Sequence, residues 1–154
     1  MTKAKMPVDI RPLRAADADA WRSLWTDYLQ FYRTTLPDEV KEATFARLLD
    51  PAVPDLNALV AERDGVLVGL VHYIYHRHCW RLEDVCYLQD LYVTPATRGT
   101  GCGRGLIAAV YAAADAAGAP SVYWMTQERN HIGRQLYDRV GVLTDFIQYR
   151  RPAE

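Results

Sequence analysis

Four of the nine glycines in this 154-residue chain, Gly99, Gly101, Gly103 and Gly105, fall within seven residues. They stand between a β-rich run that ends at Val93 and an alanine-rich run that begins near Gly101. No other feature restricts the fold as much. Glycine takes positive φ without steric cost and carries no Cβ to obstruct a bound group. The first turn of a helix presents backbone N–H groups with no internal partner, and the helix dipole adds partial positive charge there. A glycine-rich turn that opens a helix is therefore an anion site, and phosphate oxygens are its natural guests. Arg98 and Arg104 supply further positive charge for a dianionic group.

Two common phosphate-binding patterns do not fit. A Walker loop needs a lysine after the glycines, and none follows here. A dinucleotide fingerprint needs Gly-x-Gly-x-x-Gly after the first strand of a βαβ unit, whereas Gly99-x-Gly101-x-Gly103 has another spacing and sits mid-chain. The charge for such a ligand must also be local, because 18 basic residues oppose 19 acidic ones, a formal charge of −1. That balance gives no reason to expect nucleic acid or an anionic membrane as partner.

No stretch approaches the roughly 18 apolar residues that span a bilayer, and the first residues, MTKAKMPVDIRPLR, lack the apolar core of a signal peptide. A cytoplasmic protein is expected. Cys79, Cys86 and Cys102 are odd in number with no Cys-x-x-Cys pair, as suits reduced thiols. The run His72, His76, His78, Cys79 matches no zinc-binding spacing, so no metal is expected. The length and a hydrophobic content of 50% fit a single domain over residues 1–154.

Hydrophobic periodicity places the elements. Val8 to Arg11 alternates as a short strand. Asp17 is the expected N-cap of a helix reaching about Tyr32, with Trp21, Leu24, Trp25, Tyr28, Leu29 and Tyr32 recurring as one apolar face. A second helix spans Asp38 to Leu49 and ends before Pro51. Asp64-Gly65 joins strands over 58–62 and 66–75 as a hairpin. Val85 to Val93 reads as a strand, 101–117 as a helix ended by Gly118, and 121–126 as a strand. Residues 130–140 form a helix closed by Gly141, with Ile132, Leu136 and Val140 as its apolar stripe, and 143–149 a last strand. The order β-α-α-β-β-β-α-β-α-β is mixed α/β, with antiparallel hairpins first and right-handed crossovers last.

Two motifs then carry a resemblance. Arg98-x-x-Gly101-x-Gly103 resembles the Arg/Gln-x-x-Gly-x-Gly/Ala signature of the GNAT superfamily of acyl-CoA-dependent N-acetyltransferases. Asn130, followed after six residues by Tyr137-Asp138-Arg139-x-Gly141, resembles the family's second signature. The helix and strand order is similar throughout, and the aromatic first helix with Gln89-Asp90-Leu91-Tyr92-Val93 looks most like the diamine, polyamine and D-amino-acid acetyltransferases. The resemblance implies a central mixed, mostly antiparallel sheet flanked by helices, and transfer of acetyl from acetyl-CoA to a primary amine by direct attack in a ternary complex.

It also implies roles. The amides of Gly99, Thr100, Gly101, Cys102, Gly103 and Arg104, with Arg98, would hold the pyrophosphate of coenzyme A. Pantetheine would lie along the backbone of Leu91, Tyr92 and Val93, where this strand and the next splay apart, and Asn130 would hydrogen-bond it. Asn130 is equally read as a plain N-cap, and the two roles are compatible. Tyr137 would be the general acid that protonates the leaving thiolate, a task a phenol with a reference pKa near ~10 suits; its other reading is a core tyrosine on the apolar stripe. Tyr28 and Tyr32 would line the acceptor pocket with Gln89 and Asp90, and Asp27, Asp38 and Glu39 lie nearby to receive a cationic amine.

Two departures accompany the resemblance. Some relatives carry a glutamate level with Gln89 or Tyr87, and here the carboxylate is missing. Strict alternation puts Tyr87, Gln89, Leu91 and Val93 on one face and Asp90 on the other. A water chain, Asp90, or Glu83 and Asp84 remain as routes for the amine's proton, and Asp90 is equally read as a structural acceptor. The missing carboxylate also keeps a non-catalytic acyl-CoA sensor as the alternative function. Finally, only 13 residues follow Gly141, too few for the usual closing hairpin, so a homodimer that shares or exchanges this end is expected.

Overall fold

The computed structural model describes residues 7–154; the leader reading of the first 14 residues falls partly on residues 1–6, outside the described residues. Strand β1 (Asp9–Pro12) leads through a short 3₁₀ turn into helix α1 (Ala18–Phe31), and helix α2 (Asp38–Leu49) follows. Strands β2 (Leu56–Arg63) and β3 (Val66–His76) form the hairpin, whose turn residues Asp64 and Gly65 have φ of +52° and +77° as a type I′ turn requires. Strand β4 (Val85–Val93), helix α3 (Cys102–Ala116), strand β5 (Val122–Tyr123) and helix α4 (His131–Val140) complete the order. The five strands lie in sequence order in one sheet, antiparallel except for the β4–β5 pair, which α3 joins as a parallel crossover.

Each face of the sheet carries its own core. On one, Trp21, Leu24, Trp25 and Leu29 of α1 pack against Val60, Leu70 and Tyr92. On the other, Leu106, Ile107, Val110 and Ala114 of α3 cover Ala61, Val71, Cys86 and Leu88. Asp17 does not cap α1 through its side chain. Its carboxylate instead accepts two hydrogen bonds from the Arg11 guanidinium, at 2.8 and 2.9 Å, and the Arg14 N–H at 2.8 Å. Arg11 holds that carboxyl below the usual range and ties β1 to the start of α1.

Four expectations are corrected. The strand expected over 121–126 is limited to Val122 and Tyr123, which pair with Cys86 and Tyr87. Pairing stops there because β4 carries a bulge at Gln89: His72 opposes Asp90, but Tyr73 opposes Leu88, so β4 bends away. The bulge also breaks strict alternation. Cys86 and Leu88 before it, and Leu91 and Val93 after it, all pack on the α3 side, while Asp90 and Tyr92 face α1. The expected last strand over 143–149 is not a strand; it pairs with no neighbour among the described residues. Ile132 also leaves the expected stripe: it is exposed, and α4 packs through Leu136, Tyr137 and Val140.

Candidate active site

The glycines turn out to do two different jobs. Gly99 and Gly101 have φ of +75° and +85°, conformations that side chains rarely adopt, so they make the turn. Gly103 and Gly105 allow close packing: an added Cβ would lie 3.2 Å from Leu136 Cδ2 and 3.0 Å from Ile10 Cδ1. The first helical bond of α3 runs from the Gly105 N–H to the Gly101 carbonyl at 2.9 Å, so the amides of Cys102, Gly103 and Arg104 precede the helical ladder. Thr94 donates to Thr97 Oγ1, and the Thr100 hydroxyl to the Thr97 carbonyl, which holds the turn in shape. The Cys102 thiol is buried in the α3 core, so only its backbone faces outward.

Arg98 and Arg104 are exposed on either side of this turn. Arg98 Nε donates to the Val93 carbonyl at 3.2 Å, and its guanidinium lies 5.9 Å from the Tyr92 ring centre. Beyond Tyr87, β4 has no strand on its outer side among the described residues, so Leu91, Tyr92 and Val93 border an open edge.

Asn130 caps α4, its Oδ1 accepting the Gly133 N–H at 3.3 Å while its Nδ2 donates to Thr126 Oγ1 at 2.9 Å. Gly133 makes room for that fold-back, since a Cβ there would sit 2.5 Å from Asn130 Nδ2. Two turns on, Tyr137 packs edge-on to Trp124 with ring centres 5.7 Å apart. Burial, with a smaller contribution from Tyr32, pushes its phenol up to about 12.

On the α1 face, β3 and β4 bring His72 opposite Asp90. The Trp21 indole donates to His72 Nε2 at 2.9 Å, and indole nitrogen can only donate. His72 therefore carries its proton on Nδ1, which donates to Asp90 Oδ2 at 2.8 Å. Trp25 Nε1 donates to the same oxygen at 3.3 Å. Burial and the neighbouring Asp90 carboxylate raise the Tyr28 phenol far above its usual range. Tyr32 packs edge-on to Tyr28 at 5.1 Å and is raised chiefly by burial. Tyr28 and Tyr32 of α1 lie near Tyr137 of α4, which brings these two helices together beside β4.

Tyr28 lies beside Asp90, Tyr32 and Tyr137, Asn130 reaches this group through Thr126, and Tyr92 links it to Arg98 at the start of the glycine turn. Gln89 is exposed at the bulge, and Asp38 pairs with Arg22 at the surface, 3.1 Å away. His72, Trp21 and Trp25 form a polar network, although their sequence pattern presents them only as core or as stray ligands. A histidine inside the otherwise apolar run of β3, a strand register away from Asp90, is the signal that marks it. Among the described residues no cluster of His, Cys, Asp and Glu can hold a metal.

A glycine turn of this geometry, opening α3 and followed by a capped helix with a buried tyrosine, coincides with a match of residues 18–142 to the model of the acetyltransferase (GNAT) family. The chain belongs to that family. It is 41% identical over 143 residues to the D-amino-acid N-acetyltransferase HPA3 of Saccharomyces cerevisiae, covering 92% of this chain and 89% of that one. Its fold superposes with a TM-score of 0.83 on the aminoglycoside N-acetyltransferase AAC(6')-Iy in complex with CoA, at 21% identity and 99% and 98% coverage. With a ribosomal-protein-alanine N-acetyltransferase from Brucella melitensis the TM-score is 0.79, at 23% identity and 96% and 99% coverage. This GNAT protein is an N-acetyltransferase that uses acetyl-CoA. The residues present fit that co-substrate: free helix-start amides and two arginines suit a pyrophosphate, and an open strand edge suits an amide-bearing arm.

Proposed function

We propose that residues 1–154 form one domain that acetylates the primary amine of a small molecule, an amino acid being the first class to test. The observation that carries this reading is the meeting of Tyr28, Tyr32 and Tyr137, the first two beside the carboxylate of Asp90, near the open edge of β4. Aromatic faces next to a buried anion receive an ammonium group. The 41% identity to a D-amino-acid N-acetyltransferase supports the amino-acid class.

In this reading Gly99 to Arg104 and Arg98 hold the pyrophosphate of acetyl-CoA. Leu91, Tyr92 and Val93 align its arm, and Asn130 bonds the arm while it caps α4. The amine is held against Tyr28 and Tyr32, with Gln89 at the rim, gives one proton to solvent water, and as the free base attacks the thioester carbonyl; the second proton it sheds on becoming an amide returns through water to the Tyr137 phenolate. Asp90 acts through Tyr28: its carboxylate already accepts hydrogen bonds from the His72 and Trp25 N–H groups, so it orients the phenol rather than touching the amine. As the C–S bond breaks, Tyr137 gives its proton to the sulfur. A phenol raised to about 12 keeps that proton at neutral pH until a strong base forms beside it.

The cell compartment we propose is the cytoplasm, where the free thiols of Cys79, Cys86 and Cys102 stay reduced. The acting unit we propose is a homodimer.

Thiol release from acetyl-CoA, followed across D- and L-amino acids, diamines, polyamines and basic peptides, tests the reading. Turnover on a small primary amine is expected, and Tyr137→Phe should lose about 100-fold in kcat with coenzyme A affinity retained. Coenzyme A binding without turnover on any amine would mean a sensor, and unchanged turnover in Tyr137→Phe would remove the acid from that position.

A further inference from the structure

We propose that the Thr126 hydroxyl couples the two substrate sites, holding Asn130 toward the arm of acetyl-CoA on one side and Tyr32 toward the acceptor amine on the other. Thr126 is then a positioning residue, and the proposal rests on the placement of the two substrates given above.

Thr126 stands in a stretch whose place is not set by the sheet. Pairing of β5 with β4 ends at Tyr123, and α4 begins only at His131. Among the described residues, 124–126 make no backbone hydrogen bond. Side chains hold the stretch instead. Met125 and Gln127 are exposed, whereas Trp124 and Thr126 are half-buried. Trp124 packs in the core under α3, its ring centre 5.7 Å from that of Tyr137 and 6.3 Å from that of Tyr111. Thr126 is the polar member of the pair, and its branched Cβ restricts χ1 and so the direction of its hydroxyl.

On the α4 side, the helix start fixes the polarity. The Gly133 N–H can only donate, so it faces Asn130 Oδ1 and turns the amide nitrogen of Asn130 away, toward Thr126. Asn130 Nδ2 donates to Thr126 Oγ1 at 2.9 Å. That nitrogen carries two hydrogens, so one N–H is left for a carbonyl of the co-substrate arm. Thr126, having accepted, keeps its own hydrogen to give elsewhere.

On the α1 side, the Tyr32 hydroxyl lies between those of Thr126 and Tyr28, and the Tyr28 hydroxyl lies beside the Asp90 carboxylate. A carboxylate accepts, so Tyr28 donates to Asp90, Tyr32 gives to Tyr28, and Thr126 gives to Tyr32. The Tyr28 and Tyr32 rings meet edge-on at 5.1 Å, which fixes the two hydroxyls relative to each other. Asp90 is itself held by His72 and Trp25, at 2.8 and 3.3 Å. Donors therefore run one way, from Asn130 through Thr126, Tyr32 and Tyr28 to Asp90. In such a chain each bond polarises the next, so losing a middle member weakens both ends.

Thr126 is the member that joins the residue assigned to the co-substrate arm with a residue assigned to the amine. A ligand that steadies either end steadies Thr126, and by linkage the benefit is reciprocal. A coupling carried by one hydrogen bond is about two- to tenfold in affinity.

The test is calorimetric titration of coenzyme A into the full chain. Thr126→Val keeps the shape and removes the hydroxyl, and it should weaken coenzyme A about fivefold. Thr126→Ser should bind within about twofold of the wild type, because the hydroxyl is what matters. Tyr32→Phe removes a hydroxyl from the acceptor side, yet it should weaken coenzyme A about threefold. In the Thr126→Val background the same Tyr32→Phe change should cost nothing further. Losses that multiply, to about fifteenfold in the double variant, would overturn the coupling. So would full affinity in Thr126→Val, or a Thr126→Ser chain as weak as Thr126→Val. Those results leave the choice of acceptor untouched, since turnover on the amine panel is a separate measurement. An intact coupling with no turnover on any amine would instead remove the acceptor reading and keep the link between Asn130 and Tyr32.

Discussion

The two faces of β4 solve different problems with different parts of the polypeptide. Facing α1, the candidate site is made of side chains: Trp21, His72, Trp25 and Asp90 are linked by hydrogen bonds of 2.9, 2.8 and 3.3 Å, and Asp90 lies beside Tyr28. Toward α3, the site is made of backbone: two glycines at positive φ and a helix start. The contrast follows from the ligands. A pyrophosphate is the same in every reaction and is held by amides that any sequence provides, whereas an acceptor amine must be recognised and oriented by particular groups. Substitutions on the first face should therefore act through lost partners, and on the second through backbone strain.

The largest break is expected from Asp90→Ala. It leaves the N–H groups of His72 and Trp25 buried without an acceptor, each at a cost of about 1–3 kcal/mol. The midpoint of thermal unfolding should fall by roughly 10 °C. A change within about 1 kcal/mol would mean that the α1 face is not held by this network.

A smaller effect is expected on the other face. Gly101→Ala forces a Cβ into φ +85°, a strain of about 1–2 kcal/mol, and relief of that strain should reshape the turn and weaken coenzyme A binding about tenfold by calorimetry. Gly103→Ala is the control, because its Cβ meets Leu136 at 3.2 Å and strains the α3–α4 packing rather than the turn. Equal losses of affinity in the two variants would erase the distinction between turn-making and packing glycines.

The smallest effect is a pH profile that stays flat where an ordinary tyrosine would titrate. A general acid works while protonated, so activity is lost as pH rises through its pKa, and burial has moved Tyr137 up to about 12. Turnover at saturating substrate should show no alkaline decline from Tyr137 up to about pH 10. A decline centred near pH 9, absent in Tyr137→Phe, would mean the phenol is not shielded as the fold implies.

Much of the backbone plan is legible in the amino-acid sequence. Helix α2 and strand β4 have the expected bounds, the Asp64-Gly65 turn is where the dipeptide puts it, and the glycine turn opens a helix. These features are local: turn dipeptides, helix periodicity and glycine conformations are set by residues a few positions apart. The bulge at Gln89 is not legible, because an extra residue in one strand is defined only against its neighbour. With it go the faces of β4 and the length of β5. His72 illustrates the same limit, since it meets Asp90 18 residues along the chain through strand register, and Trp21 51 residues away through helix packing.

Sequence is sufficient for the order of elements up to α4, the glycine turn that opens α3 and the family that two spaced motifs announce. Packing in three dimensions settles that Asp90 is engaged by His72 and Trp25 beside Tyr28, and that the C-terminal apolar segment pairs with no strand among the described residues. The difference is one of range. Backbone conformation answers to near neighbours, while the partners of a buried polar group or an edge strand are chosen by how distant segments pack together.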